Sequence, residues 1–151
     1  MRPLRCWARK PKALSAPAEF IVNQDLSRAI QRDKVDISQL EKLADQALKL
    51  SLQLDTTTLG FEASHKVTTL MDKLAHSPQD AELLQTITRT VGALMKLIPE
   101  LDVQNAQNVL FEISKEEYPA MVQKAGSGDD SAKHWCGLFG RLADFLGVKV
   151  G

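Results

Sequence analysis

Three histidines and two cysteines are the residues of this chain best suited to catalysis or metal binding, but their spacing favours neither. His65, His76 and His134 lie in different segments, and none is three or four residues from another histidine, so no helix offers a two-histidine metal site. Cys6 and Cys136 show no Cys-x-x-Cys spacing and form no disulfide framework. We therefore predict no metal, no cofactor, reduced thiols and a cytoplasmic location.

Carboxylates and glycines give no clearer catalytic pattern. His65 could meet Glu62 or Asp72 on one helix as an acid/base pair, but polar residues at that spacing are typical of a solvated helix surface. The glycine-rich segment 126–128 lacks the lysine of a phosphate-binding loop, and Gly-x-Ser-x-Gly is absent. We predict no catalytic residue, because the remaining candidate carboxylates lie at expected helix ends or turns: Glu100, Asp102, Glu116, Glu117, Asp129 and Asp130.

A cluster of amides is the polar feature that is hardest to dismiss. Gln104, Asn105, Gln107 and Asn108 lie within one predicted helix, although amides have modest helix propensity. Because Asn108 precedes the apolar Val109, at least one amide is a candidate for burial, with a hydrogen bond to a loop carbonyl or a facing helix. Gln107 and Asn108 are therefore the candidate contact residues, and we favour a structural hydrogen bond over ligand contact.

Apolar residues at helical spacing must position these groups. They recur every three or four residues and are interrupted by proline and glycine, which predicts helices over about 18–34, 36–54, 56–76, 78–98, 102–118 and 130–146. In the first segment the helical spacing is regular only in the second half, at Leu26, Ala29 and Ile30, and the alternative for residues 20–22 is a short extended lead-in. Short connections favour antiparallel neighbours, so we expect an all-α, compact bundle of five to six mostly antiparallel helices. The expected helix starts and stops are Asp36 with Gln39, Ser77 before Pro78, Asp102, Asp129 or Asp130, and Gly147.

The first residues differ from the rest in charge. Residues 1–12 carry five positive charges and no acid, whereas the whole chain is neutral, so the remainder has a net charge of about −5. Prolines at positions 3, 11 and 17 predict an extended or disordered basic arm over 1–17, followed by a helical domain over 18–151. No basic face continues downstream and no apolar stretch is long enough to span a bilayer, so we predict neither nucleic-acid nor membrane binding.

The segment 101–111 resembles a known family. It is similar to a stretch near the C-terminus of bacterial proteins related to family fifty-seven glycoside hydrolases, the α-amylase and α-mannosidase group; the matching residues are Leu101, Asp102, Ala106, Gln107, Asn108 and Phe111. Further points of similarity are Leu54-Asp55, Phe61-Glu62 and Leu146-Gly147-Val148, so the resemblance spans about 20–150. In that family two carboxylates of an N-terminal barrel carry out catalysis, and this chain contains no such barrel.

The resemblance implies a non-catalytic accessory domain that braces a glycoside-hydrolase-type barrel or completes its cleft. Such a chain would be a natural short product, the product of a truncated gene, or an excised region. The alternative is an independent helical module that presents a groove between helices to another protein. A small enzyme with unrecognised chemistry is the least favoured class, and oligomeric state does not follow from the sequence.

Overall fold

Aspartates begin four of the helices, because a carboxylate can accept the N–H groups that the first helical turn leaves unpaired. One oxygen of each capping carboxylate accepts the N–H of the residue three positions on, at 3.0–3.1 Å; the caps are Asp36, Asp55, Asp80 and Asp129. The caps at Asp36 and Asp129 agree with the sequence prediction. The last helix ends at Gly147 in the left-handed conformation, with φ of 72°, which also agrees.

The computed structural model describes the backbone of residues 12–150 and the side chains of residues 17–150. This part of the chain is all-α and contains seven helices: α1 (Lys12–Gln31), α2 (Ile37–Lys49), α3 (Thr56–His76), α4 (Ala81–Leu97), α5 (Gln104–Glu116), α6 (Tyr118–Gly126) and α7 (Asp130–Leu146). The all-α prediction is confirmed. The predicted number of five to six helices is one too low because α6 was not expected.

Pro119 explains the missing helix. The sequence predicts that this proline bends or ends the helix over 102–118, but Pro119 lies in the first turn of α6. A proline at that position loses no helical hydrogen bond, since the N–H groups of the first turn have no helical acceptor. The same residue therefore ends one helix and allows the next to begin after Glu117.

Two predicted caps are displaced. Ser77 follows the last residue of α3, and Asp80 rather than Ser77 caps α4, because the carboxylate of Asp80 accepts the N–H of Leu83. Asp102 lies one residue before the N-cap position of α5, although its carboxylate still accepts the N–H of Gln104 at 3.1 Å. Aspartate and serine are about equally good cap residues, so capping preference alone does not choose between Asp80 and Ser77. At α5 the carboxylate of Asp102 binds the N–H two residues on, one residue closer than in the other aspartate caps.

α2 is shorter than its apolar pattern suggests. The predicted helix runs to residue 54, but Ser51 adopts a left-handed conformation with φ of 51°, and α2 ends at Lys49. The N–H of Leu52 donates to the carbonyl of Ala47, and that of Ser51 donates to Leu48, which is the hydrogen-bond pattern of a Schellman motif. Leu52 is buried by this turn, whereas Leu48 is half exposed.

α1 begins before the predicted domain boundary at residue 18. The helix starts at Lys12 and contains Pro17, whose ring removes one backbone hydrogen bond. The later turns of α1 pack against α2 and α3, and tertiary packing of this kind stabilises helices more than propensity does. Residues 1–11, which hold most of the predicted basic arm, lie outside the described residues.

The helices pack as three hairpins side by side: α1 with α2, α3 with α4, and α5 with α7. The short helix α6 packs against α7. α1 contacts α3, and α3 contacts α5, in one layer; α2 contacts α4, and α4 contacts α7, in the other. Within the first layer α1 and α3 run in the same direction. The side chain of Asn23, in the middle of α1, accepts the N–H of Asp55 at the start of α3, and Lys66, further along α3, donates to the carbonyl of Arg32 just after α1. Helices joined by short loops are antiparallel, as expected, but neighbours within a layer are parallel because each hairpin returns the chain to the same end.

α4 and α7 form the centre of the core. α4 is buried on several sides by α2, α3 and α7, and Leu84, Ile87 and Leu94 have no exposed surface. On α7, Trp135 stacks on Phe139 with ring centroids 4.8 Å apart. Burial of apolar surface in one continuous cluster across all three hairpins therefore holds the layers together.

Acidification tests the cap at Asp55. Hydrogen bonds from Thr58, first through its hydroxyl and then through its backbone N–H, lower the pKa of Asp55. Because the pKa of Asp55 is lower in the folded than in the unfolded chain, its carboxylate stabilises the folded state fully at pH values above the unfolded pKa. This stabilisation is lost as the pH falls through the pKa of Asp55 in the folded state. We expect Asp55→Ala to be less stable than the parent at neutral pH and less sensitive to acid below about pH 4.

Urea unfolding at several pH values, followed by circular dichroism, measures both effects. Asp144→Ala, which removes an exposed carboxylate from the last turn of α7, is the matched control and should retain the acid sensitivity of the parent. An unchanged acid dependence in Asp55→Ala would contradict the assigned role of this carboxylate.

Candidate functional site

The histidines and their neighbouring carboxylates do not form a shared site. His65 and His134 are exposed, and the ring of His76 lies 2.8 Å from the carbonyl of Asp72 in the preceding turn. Glu62 instead accepts hydrogen bonds from Ser27, at 2.6 and 2.9 Å, and from the side-chain amide of Gln31. Its carboxylate therefore joins α3 to α1. The residues that the structure describes contain no group of three potential metal ligands.

Cys136 has the environment of a packing residue. The thiol is half buried on α7, and desolvation raises its pKa. A raised pKa keeps the thiol protonated, whereas the thiolate is the nucleophilic form. Cys6 lies outside the described residues.

The two candidate contact residues are separated by the structure. The side-chain amide of Gln107 donates a hydrogen bond of 2.6 Å to the carbonyl of Leu146, the last residue of α7. This bond satisfies a carbonyl that has no partner within its own helix. Asn108, the next residue of α5, is exposed. The resembling segment also binds α3, because the hydroxyl of Ser64 donates to the carbonyl of Asp102 at 2.9 Å.

Gln107 should therefore matter for stability more than Asn108. Gln107→Ala leaves the carbonyl of Leu146 without its partner, and we expect a loss of about 1–3 kcal/mol in the free energy of unfolding. Gln107→Glu retains the shape but places an acceptor against a carbonyl, so it should be no more stable than the alanine variant at neutral pH. Asn108→Ala is the control and should change stability by less than about 0.5 kcal/mol. Equal unfolding midpoints for Gln107→Ala and Asn108→Ala would contradict this assignment.

A groove follows the outer surface of α4. It has a volume of about 740 Å³ and runs between α2 and α7, which form its two walls. α2 contributes Glu41, Ala44 and Asp45, α7 contributes Arg141 and Phe145, and α4 contributes Thr88, Arg89, Gly92, Ala93, Met95 and Lys96. From Thr88 to Lys96 the floor is about 12 Å long, or about two helical turns.

Gly92 shapes the floor of this groove. A Cβ atom placed on Gly92 would lie 3.0 Å from Cζ of Phe145, so the ring of Phe145 rests directly on the backbone of α4. Phe145 as a whole is 40% exposed, although it follows the apolar period of α7. The floor thus combines an open aromatic ring with the half-buried side chain of Met95. Partly open aromatic side chains in a concave setting are typical of partner-binding surfaces.

The charges around the groove are only partly paired. Arg89 forms an ion pair of 2.5 Å with Glu41, and this pair bridges α4 and α2. Both side chains are more than 40% exposed, so the pair adds little to stability. Asp45, Lys96 and Arg141 have no ion-pair partner among the residues whose side chains are described.

The polar groups that line the groove are one hydroxyl and five charged side chains. The hydroxyl of Thr88 already donates to the carbonyl of Leu84 at 2.7 Å, and the described lining contains neither histidine nor cysteine. Apolar floor, exposed ring and charged rim match the composition of protein interfaces, in which an apolar centre is surrounded by polar residues.

Sequence reasoning did not identify this groove. A single glycine within a helical pattern is a signal of close packing or function, and Gly92 carried that signal. The other lining residues are ordinary for amphipathic helices. Their convergence depends on α2, α4 and α7 becoming neighbours, which no local pattern specifies.

Comparison with family models, with curated proteins and with solved structures gives no match for this chain. The similarity of segment 101–111 to family fifty-seven glycoside hydrolases therefore stays a prediction from the residues quoted above. No helix in the described residues is both long enough and apolar enough to cross a membrane.

Proposed function

We propose that this protein is a non-catalytic helical interaction module that holds a segment of a partner protein in the groove between α2 and α7. The observation that supports the proposal is the floor at Gly92, where the ring of Phe145 lies against α4 while the residue as a whole remains 40% exposed. A partner side chain placed there would remove the exposed ring face and Met95 from water, and burial of apolar surface is the main driving force of association.

The shape of the groove favours a polypeptide over a small molecule. Small-molecule pockets enclose most of the ligand surface, whereas this groove is open along its length between two helical walls. A helix has a diameter of about 10–12 Å and can lie along two turns of α4 with one face in the groove. This arrangement is helix-in-groove recognition, in which side chains spaced by one turn act as anchors.

Selection from an unbiased peptide library displayed on phage tests the proposal. Peptides enriched on the parent chain should bind through the floor, so they should lose binding to Gly92→Leu, whose side chain fills the floor and displaces Phe145. Leucine has a higher helix propensity than glycine, so α4 should remain folded in this variant. Binding is measured by fluorescence anisotropy with the enriched peptides.

Gly137→Leu is the matched control, because Gly137 is exposed on α7 and a Cβ placed there meets nothing within 4 Å. The enriched peptides should bind this variant as they bind the parent. Peptides that bind Gly92→Leu as tightly as the parent, or failure to enrich any peptide, would refute the groove as a binding site.

A second candidate follows from the family resemblance, in which the partner is a glycoside-hydrolase-type barrel. The observation in its favour is that Asn105, Asn108 and Phe111 of the resembling segment are exposed on α5. The ammonium group of Lys115 lies 4.3 Å from the ring centroid of Phe111, which leaves one ring face covered by charge. These residues form a surface opposite in the fold to the α4 groove, since α5 belongs to the other layer.

Binding to a separately expressed family fifty-seven barrel tests this second candidate. Asn108→Ala and Phe111→Ala should weaken the complex, whereas Gly92→Leu should not affect it. Absence of binding at micromolar concentrations would count against the accessory role, and sugar hydrolysis by the purified chain alone would contradict both proposals.

A further inference from the structure

The unpaired charges of the groove distinguish one class of partner from another. The ion pair between Glu41 and Arg89 satisfies two of the five charged side chains. Asp45 on α2, Lys96 on α4 and Arg141 on α7 remain, and none of them forms an ion pair within the described residues. The unpaired charges of α4 and α7 are positive, and the single unpaired charge of α2 is negative.

Arg141 and Phe145 act from the same face of α7. They are four residues apart, so their side chains lie one turn from each other, about 6 Å along the helix. Both line the groove, and Arg141 is exposed. Arginine presents several N–H donors in a planar arrangement that suits a carboxylate, and arginine and aromatic residues are common interface anchors.

We infer that the groove binds an amphipathic helix of another protein that carries a carboxylate one turn from an apolar anchor. The inference rests on the proposed function and adds the chemistry of the partner. The apolar anchor packs on Phe145 and Met95 above Gly92, and the carboxylate receives hydrogen bonds from Arg141. Lys96 attracts further acidic residues of the partner at one end of the groove, and Asp45 repels acidic residues along the α2 wall. The acidic side of the partner helix therefore faces α4 and α7 and not α2.

The chain's own N-terminal segment does not supply this chemistry. Residues 1–12 contain five basic residues and no aspartate or glutamate, so they offer no carboxylate to Arg141 and would be repelled by Lys96. Charge complementarity therefore favours an acidic segment of a different protein over this part of the same chain.

A second phage library tests the charge preference. It displays amphipathic helical peptides in which every charged position offers either glutamate or lysine in equal proportion, and binders are retained only if they fail to bind Gly92→Leu. We expect glutamate to be enriched one turn from the apolar anchor. The enriched peptides should bind Arg141→Glu about five- to tenfold more weakly than the parent, because attraction is replaced by repulsion.

Arg28→Glu is the matched control, since it makes the same charge change at an exposed position of α1 outside the groove. It should leave affinity for the enriched peptides unchanged. Enrichment of lysine, equal use of both residues, or equal weakening by Arg28→Glu and Arg141→Glu would overturn the inference.

The outcomes separate this inference from the proposed function. If the unbiased library gives binders sensitive to Gly92→Leu but no preference for glutamate, only the charge assignment fails. If neither library gives such binders, the groove itself is not a binding site. Light scattering of the purified chain tests whether a second copy of this chain occupies the groove. A dimer of the parent that is lost in both Gly92→Leu and Arg141→Glu would identify a second copy, not an acidic partner, as the occupant.

Discussion

Trp135→Ala should cause the largest loss of stability among single substitutions, about 3–5 kcal/mol in the free energy of unfolding. Trp135 is 1% exposed, stacks on Phe139 and lies 6.3 Å from Tyr118 between ring centroids. Its indole N–H also donates a hydrogen bond of 2.8 Å to the carbonyl of Pro78, in the turn between α3 and α4. The substitution removes this link and leaves a large cavity between α7 and its neighbours.

Two control variants separate packing from hydrogen bonding. Trp135→Phe keeps most of the ring contact but removes the donor to Pro78, so its loss should be clearly smaller than that of Trp135→Ala. Phe61→Ala removes an aromatic side chain that is 77% exposed and should change stability by less than about 0.5 kcal/mol. Urea unfolding followed by far-UV circular dichroism gives the three values. A similar midpoint for Trp135→Ala and Phe61→Ala would contradict the central role of this aromatic cluster.

Leu84→Ala should have the second large effect, about 2–5 kcal/mol. Leu84 has no exposed surface and lies in the first turn of α4, which packs against α2, α3 and α7. The cavity forms inside the core, and the surrounding structure can collapse into it only partially. A loss of this size is a large share of the roughly 5–15 kcal/mol typical of a whole domain.

Leu48→Ala is the matched control for this prediction. The chemical change is the same, but Leu48 is 50% exposed at the end of α2, so the loss should be at most a few tenths of a kcal/mol. Thermal and urea unfolding of both variants, compared with the parent, measure the difference. If Leu84→Ala and Leu48→Ala have the same unfolding midpoints, α4 does not lie at the centre of the core.

Local patterns predicted much of the secondary structure correctly. Asp36 and Asp129 cap helices, and Gly147 ends the last one, because capping depends on a side chain and backbone groups a few residues away. Leu43, Leu84 and Phe139 follow the apolar period of their helices; Leu84 and Phe139 are fully buried, and Leu43 is 8% exposed. The period of apolar residues reports which side of a helix avoids water, and this property is local as well.

Where local signals compete, the outcome was not predictable from the chain. Ser77 with Pro78 and Asp80 both provide capping groups within four residues, and the structure uses Asp80. Pro119 could end a helix or begin one, and it lies at the start of α6. In both cases two arrangements have similar local energies, so packing of the flanking helices selects between them.

The sequence by itself determined that the described chain is helical, where α2, α3 and α7 begin, and which side of the helices is apolar, since these depend on contacts within one or two helical turns. Only the tertiary structure decided that helices of one layer run parallel, that Gln107 meets the carbonyl of Leu146, and that Phe145 lies over Gly92. Each of these pairs joins residues about 40 or more positions apart. Their contact depends on how whole helix faces fit together, and many sequences with the same local pattern would pair those faces differently.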